Sequence, residues 1–150
     1  MGGDYAPRAT IAGALQALAE LDSTHSVQLV GQTNAIEREL QELLGGELSH
    51  AARSRDRIAI IEAPDVIEMA DKPTAALRGK SKNPMAVGIR MQVDGASDAF
   101  VSAGNTGAQM AVSAVTLGLH EGLKRPPVST ILPTSREPIV FLDSGANVDC

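Results

Sequence analysis

The feature that most constrains the fold is a regular alternation of short apolar runs with longer stretches of helical periodicity. Residues 5–21 and 33–46 carry apolar residues at three- and four-residue spacing, which predicts two amphipathic helices. The runs 26–30 (SVQLV) and 58–62 (IAIIE) have the apolar, β-branched content of buried strands. The predicted buried stripes of the two helices are Ile11, Leu15 and Leu18, and Ile36, Leu40 and Leu43. This order predicts parallel strands joined by helices.

The second half of the chain continues the alternation and then changes. Asn83 followed by Pro84 predicts the start of a helix, residues 98–101 a strand, and residues 106–119 another helix. The last two apolar runs, VSTILP and IVFL, are separated only by TSREP, which favours an antiparallel pair. We therefore predict a single α/β domain over residues 1–150, with a doubly wound, mainly parallel sheet, helices on both faces and an antiparallel strand pair near the C-terminus.

Other local predictions concern helix ends and loops. Asp4 is placed to cap the first helix, and the polar residues 47–57 indicate a loop. The turn at residues 2–4 lacks a preceding strand, and residues 144–150 resemble a turn without its following helix. We expect the chain to be the N-terminal part of a larger α/β protein.

Composition excludes several classes of function. Aromatic residues make up 2% of the chain, so stacking platforms for bases are not expected. A net charge of −5 and a pI near 5.1 lack the concentrated basic surface of a nucleic-acid binder. Cys150 is the single cysteine, which excludes an internal disulfide framework and fits a cytoplasmic protein. No stretch approaches the roughly 20 apolar residues that span a bilayer.

Three glycine-containing turns fall at predicted carboxyl ends of strands, namely residues 2–4 (GGD), 102–107 (SAGNTG) and 143–147 (DSGAN). Ligands of open α/β proteins bind at that edge, where backbone N–H groups and helix N-termini point outward. The amides of Asn105 and Asn147 and the hydroxyls of Ser102 and Thr106 would add uncharged donors for a small anion or a developing oxyanion. The turns match no nucleotide phosphate loop, and ordinary turns and caps are the alternative.

Charged side chains are concentrated in the long connection after the second strand. Its cations are Lys72, Arg78, Lys80 and Lys82. The ordinary interpretation is that these cations belong to a solvated loop. The functional interpretation is that Lys72 or Arg78 contacts an anionic substrate, while the other cations contact an acidic partner. The acidic residues from 62 to 71 follow no metal-binding spacing, so no metal or cofactor is predicted.

Four segments in order, MGGDYAP, EAPDVIEMADKPTAALRGK, DAFVSAGNTGA and LDSGANVDC, resemble the bacterial phosphate acyltransferases of the PlsX family from Met1 to Cys150. The resemblance implies an enzyme that transfers a fatty acyl group from acyl carrier protein to inorganic phosphate, and a membrane acyltransferase that uses the acyl phosphate to acylate glycerol 3-phosphate. It also implies a fold similar to phosphotransacetylase and isocitrate dehydrogenase, a homodimer, and peripheral attachment to the membrane.

By motif match, the resemblance assigns roles to residues of all three turns and of the basic connection. The implied catalytic residues are Asn105, Thr106, Asn147 and Lys72. The implied substrate contacts are Asp4, Gly104, Gly107, Gly145 and Arg78, and the implied carrier-protein contacts are Lys80 and Lys82. Two alternatives stay open: a phosphotransacetylase-like enzyme that uses a coenzyme A thioester, and a non-catalytic assembly module or inactive fragment.

Overall fold

The computed structural model describes residues 2–142. In chain order the elements are α1 (Arg8–Glu20), β1 (Val27–Gly31), α2 (Thr33–Gly45), a 3₁₀ helix (Ser49–Arg57), β2 (Ile58–Glu62), α3 (Ala75–Arg78), α4 (Pro84–Val93), α5 (Thr106–Thr116), β3 (Ser129–Leu132) and β4 (Ile139–Leu142). The predicted alternation of helix and strand is confirmed from α1 to β2.

Two small sheets organise the described chain. Strands β1 and β2 are parallel, with Val27 opposite Ile58 and Gly31 opposite Glu62, and α2 forms the crossover between them. Strands β3 and β4 are antiparallel, with Ser129 opposite Leu142. The predicted α/β class, with a parallel sheet and a C-terminal antiparallel pair, is therefore confirmed, although the parallel sheet has only two strands within residues 2–142.

The first core cluster lies between α1, α2, the 3₁₀ helix and one face of the parallel sheet. Both predicted helical stripes are buried in it, and Leu29 and Ile58 supply the sheet side. Gln28 lies on the other face of β1 and donates to the carbonyl of Ala96, just beyond α4. The helix α4 thus approaches β1 from the opposite side of the sheet.

The second core cluster joins the three later helices. Ala76 of α3, Met85 and Ile89 of α4, and Ala108 and Val112 of α5 are all buried there. Because Ala108 is in the first turn of α5, this cluster lies directly beneath the glycine turn that precedes the helix. Met85 of this cluster contacts the turn, since a Cβ atom on Gly104 would lie 2.9 Å from Met85 Cε.

The strand predicted for residues 98–101 is wrong. This segment has no strand partner within residues 2–142, and the Val101 side chain is almost fully exposed. Its anchor is instead Phe100, whose ring packs on α4 at Gly88, where a Cβ atom would collide with it. Residues 98–101 are thus held in place by packing of the Phe100 ring on Gly88, and not by the inter-strand hydrogen bonds that define a strand.

Two local predictions are also wrong. Residues 49–57 form a 3₁₀ helix and not a loop, because Leu48, Ala51 and Ser54 recur at its three-residue period and are all buried. Asp4 does not cap α1. The chain first makes a turn in which the Ala6 N–H donates to the Gly3 carbonyl, and Pro7 occupies the N-cap position without a side-chain bond.

Candidate anion-binding site

The turns at residues 2–4 and 102–107 lie against each other. A Cβ atom on Gly2 would sit 2.9 Å from the Gly104 backbone nitrogen, and one on Gly3 would sit 3.3 Å from the Ala103 carbonyl oxygen. Gly3 also has a φ of 98°, which L-residues with side chains rarely adopt. These glycines are therefore required because two backbone segments pass within van der Waals contact of each other.

Asn105 connects this double turn to the connection after β2. Its Oδ1 accepts a hydrogen bond from the Ala108 N–H at 3.0 Å and so caps α5. Its Nδ2 donates to three backbone carbonyls, those of Glu68, Met69 and Asp71, at 3.0–3.3 Å. The Asn105 side chain is buried and fully engaged, so it positions the loop and the helix start relative to each other.

The first turn of α5 retains free donors beside this clamp. Within residues 2–142 the backbone N–H groups of Thr106 and Gly107 have no hydrogen-bond partner, as expected for the first positions of a helix. Gly107 is overlaid by Pro73, whose Cγ would lie 3.0 Å from an added Cβ. Thr106 is exposed and borders a cleft of about 270 Å³ between α5 and residues 126–128. Two N–H groups and one hydroxyl are thus available to an anion at this point.

Lys72 is held at the same place by its neighbours. On one side, the Asp71 carbonyl accepts a hydrogen bond from Asn105, and on the other, Pro73 packs on Gly107. The Lys72 side chain is exposed and makes no hydrogen bond or ion pair in the described part of the chain. A free cation therefore lies close in the fold to the free N–H groups of α5.

The remaining basic residues are placed differently. The Lys80 ammonium donates to the Asp71 carboxylate at 2.6 Å, and together with the Glu68 N–H it holds the pKa of Asp71 below its usual value. Lys82 donates its backbone N–H to the Asp65 carboxylate, and the Lys82 side chain is exposed. Arg78, at the end of α3, is also exposed. Lys80 is thus partly committed to the loop, whereas the other two side chains face solvent.

The structure therefore brings five of the predicted site residues together around the start of α5: Lys72, Gly104, Asn105, Thr106 and Gly107. Asp4 follows Gly3, which lies against Ala103, and the Asp4 side chain is exposed. Arg78, Lys80 and Lys82 lie on α3 and the loop behind it. Gly145 and Asn147 lie outside the described residues.

Asn83 has a structural role that sequence reasoning recognised only in part. It was predictable as a cap because Pro84 follows it, and its Oδ1 does accept from the Ala86 N–H. It is also completely buried, and its Nδ2 donates to the carbonyls of Ala76 and Lys80. Asn83 and Asn105 thus share one arrangement, in which the side-chain oxygen caps a helix and the side-chain nitrogen donates to backbone carbonyls of an earlier segment.

A larger cleft, of about 460 Å³, opens where β1 and β2 meet α2. Here the Glu62 carboxylate accepts a hydrogen bond from the Thr33 N–H at 2.9 Å and caps α2 from the neighbouring strand. Hydrogen bonds from Thr33 hold the pKa of Glu62 below its usual value. No sequence motif indicated this contact, because it depends on the register that sets Gly31 beside Glu62.

Comparison with known proteins shows which family the chain belongs to. The family model described as "Fatty acid synthesis protein" matches residues 1–150. The chain belongs to this family. It is 43% identical to a phosphate acyltransferase of Desulforamulus reducens, 41% to one of Stutzerimonas stutzeri and 44% to one of Koribacter versatilis, each over the whole chain.

Those matches cover 42%, 40% and 40% of the three relatives, so the chain spans about two-fifths of the length of the curated relatives it matches. None of the helices in residues 2–142 has the length and apolar content needed to cross a membrane.

Proposed function

We propose that this chain forms the phosphate-binding part of an enzyme that transfers a fatty acyl group from acyl carrier protein to inorganic phosphate. The product, an acyl phosphate, would supply a membrane glycerol-3-phosphate acyltransferase in phospholipid synthesis. Family membership and the name phosphate acyltransferase carried by the relatives support this proposal. The structural observation that carries it is the pair of unpartnered N–H groups at Thr106 and Gly107 within residues 2–142.

The site geometry suits a small, doubly charged anion. The two N–H groups and the Thr106 hydroxyl would bind phosphate oxygens at the positive end of α5, and Lys72 would neutralise charge beside them. The backbones of Gly104 and Gly107 would contact the ligand, and the absence of side chains lets them pack closely, since an added Cβ would lie 2.9 Å from Met85 Cε or 3.0 Å from Pro73 Cγ. The exposed Asp4 carboxylate would accept a hydrogen bond from a protonated phosphate oxygen, while Asn105 would hold the assembly in register.

The reaction requires no nucleophile from the protein. A phosphate oxygen attacks the thioester carbonyl carbon, the carbonyl oxygen takes the negative charge, and the carbon–sulfur bond then breaks to release the carrier thiolate, which takes up a proton. Holding phosphate in line and stabilising the oxyanion supply the catalysis. In this proposal Gly145 and Asn147 complete the oxyanion site, Arg78 adds a second cation, and Lys80 and Lys82 contact the acidic carrier protein.

We infer a doubly wound sheet of the phosphotransacetylase and isocitrate dehydrogenase type, assembled as a homodimer. The enzyme would be cytoplasmic and attached peripherally to the inner face of the membrane. The resemblance of the four sequence segments supports these points.

Phosphate binding can be tested on the 150-residue chain itself. Titration with inorganic phosphate, followed by ¹⁵N–¹H NMR, should shift the amide signals of Thr106 and Gly107, and Lys72→Ala should weaken binding by about tenfold. Arg53→Ala is the matched control, since the Arg53 side chain is also an exposed cation but lies on the 3₁₀ helix Ser49–Arg57. Unmoved amide signals, or equal weakening by both substitutions, would overturn the assignment.

Catalysis is tested with the acyl donor present. Incubation with acyl-acyl carrier protein and phosphate, in a protein that includes this chain together with the remainder of the relatives' length, should yield acyl phosphate, trapped as a hydroxamate. Turnover of acyl-coenzyme A in preference to the carrier-protein thioester would instead establish the phosphotransacetylase-like alternative.

A further inference from the structure

The cleft of about 270 Å³ between α5 and residues 126–128 begins at the candidate anion site and continues along the helix. Thr106, Met110 and Ser113 follow each other at helical spacing, so they lie on the face of α5 that lines this cleft. Seven residues of α-helix span about 10 Å, so the lining extends well beyond the space that a phosphate ion needs. We call this space the α5 cleft.

The lining of the α5 cleft combines apolar surface with hydrogen-bonding groups. Met110, Pro126, Pro127 and Val128 supply the apolar surface. Gln109 and Ser113 supply an amide and a hydroxyl, and both side chains are half-buried. Neither side chain makes a hydrogen bond within residues 2–142. The cleft therefore offers a ligand both van der Waals contacts and free polar partners.

A purely apolar ligand, such as a fatty acyl chain, would suit this lining poorly. It would remove water from Gln109 and Ser113 without replacing the lost hydrogen bonds, which is unfavourable. A ligand with alternating amide and aliphatic groups would satisfy both parts of the lining. The pantetheine arm, which carries the thioester in both acyl carrier protein and coenzyme A, has this alternating chemistry.

We propose that the α5 cleft binds the pantetheine arm of the thioester donor. This inference rests on the proposed function, in which phosphate bound at Thr106 attacks the thioester at the end of that arm. Because the cleft and the first turn of α5 share Thr106, an arm in the cleft brings its thioester to the bound phosphate. Gln109 and Ser113 are then donor-binding residues that pair with the amides of the arm.

Two exposed cations adjoin the α5 cleft. Lys124 and Arg125 directly precede Pro126, and neither forms an ion pair within residues 2–142. The pantetheine arm is joined to either carrier through a phosphate group, and cations beside the cleft favour that group electrostatically. Phosphopantetheine should therefore bind more tightly than pantetheine.

The test is titration of the ¹⁵N-labelled 150-residue chain with pantetheine and with phosphopantetheine, followed by ¹⁵N–¹H NMR. The backbone amides of Met110 and Ser113 and the side-chain amide of Gln109 should shift. Gln109→Leu and Ser113→Ala should each weaken binding of pantetheine by about fivefold, because each removes a hydrogen-bonding partner. Gln41→Leu is the matched control, since it makes the same substitution at an exposed position of α2.

The variants decide whether the α5 cleft is the binding site. Pantetheine binding that depends on Gln109 and Ser113 but not on Gln41 supports the proposal. Absence of shifts with both probes, or equal weakening by Gln109→Leu and Gln41→Leu, overturns it. Circular dichroism of each variant, compared with the parent chain, verifies that it is folded.

Decanoate is the competing probe. If decanoate shifts the signals of Met110 and Ser113 and pantetheine does not, the cleft binds an acyl chain and the proposal is wrong. Coenzyme A and acyl carrier protein with its arm attached separate the two sources of the arm. Both should shift the cleft signals, and the carrier that binds more tightly is identified as the donor.

Titration with inorganic phosphate separates this inference from the proposed function. Shifts of Thr106 and Gly107 with phosphate, together with cleft signals that pantetheine leaves unmoved, overturn the cleft assignment alone. Cleft signals that move with pantetheine, while phosphate leaves Thr106 and Gly107 unmoved, support the cleft assignment and overturn the phosphate site.

Discussion

The Asn105 side chain has two structural roles, and substitutions can measure the contribution of each to the free energy of unfolding. Its Oδ1 caps α5 at the Ala108 N–H, and its Nδ2 holds the carbonyls of Glu68, Met69 and Asp71. Loss of an N-cap costs about 1 kcal/mol. Leaving partly buried carbonyls without their donor costs about 1–2 kcal/mol more. We therefore expect Asn105→Ala to lower the free energy of unfolding by about 2–3 kcal/mol.

Asn105→Ser separates the two contributions. A serine Oγ can still accept from the Ala108 N–H, whereas the donors to the loop are lost. The expected cost is therefore only the loop contribution, about 1–2 kcal/mol. Asn34→Ala is the matched control: Asn34 is exposed in α2, and its removal should change stability by less than about 0.5 kcal/mol. Urea denaturation followed by circular dichroism provides all three values.

Amide hydrogen exchange locates the effect. Asp71 donates its N–H to the Glu68 carbonyl, and this amide should exchange faster in both Asn105 variants, because both lose the clamp on the loop. The Ala108 amide should exchange faster only in Asn105→Ala. Equal stability of Asn105→Ala and Asn34→Ala would refute the structural role of Asn105. Equal exchange rates of the Ala108 amide in the two Asn105 variants would refute the separation of that role into a helix cap and a loop clamp.

Three further predictions follow from local geometry. Gly2→Ala should destabilise the chain by about 1–3 kcal/mol, because the new Cβ would lie 2.9 Å from backbone atoms of Gly104; an unchanged melting temperature would contradict the contact. Gly13→Ala, with nothing within 4 Å of the new methyl group, should instead stabilise α1 by up to about 1 kcal/mol in the same melting experiment. Hydrogen bonds from Thr24 lower the pKa of Asp22 from 3.8 to about 2, so its stabilisation is complete above pH 3.8 and lost as the pH falls toward 2. The stability difference between the parent chain and Asp22→Asn should therefore shrink over that interval in urea melts, and a difference independent of pH would exclude the effect.

Periodicity was sufficient to predict α1, β1, α2 and β2, because each buries a stripe or face whose spacing is local. It failed at residues 98–101, where an apolar run alone cannot say whether a neighbouring strand is present to pair with it. It also failed at residues 49–57, where Leu48, Ala51 and Ser54 form a buried stripe too short and too polar in its surroundings to be distinguished from a loop.

The candidate site was likewise predictable only in part. The glycines and asparagines of the turns were identifiable from their residue types and their positions after apolar runs, since those types are needed wherever a backbone turns sharply or a helix begins. The contacts that these residues make in the folded chain were not identifiable. That Gly2 abuts Gly104 depends on two segments a hundred residues apart, and that the Asn105 amide is engaged by loop carbonyls depends on where that loop packs.

Local spacing thus settled which residues form helices, which begin them and which chemistry the turns offer, because those properties depend on neighbours within one or two turns of chain. Tertiary packing alone decided which donors remain available. It occupies the side chain of Asn105, leaves the N–H groups of Thr106 and Gly107 without partners in residues 2–142, and sets Glu62 against α2. A hydrogen-bonding group can satisfy only a limited number of partners, and those partners are distributed by the fold as a whole.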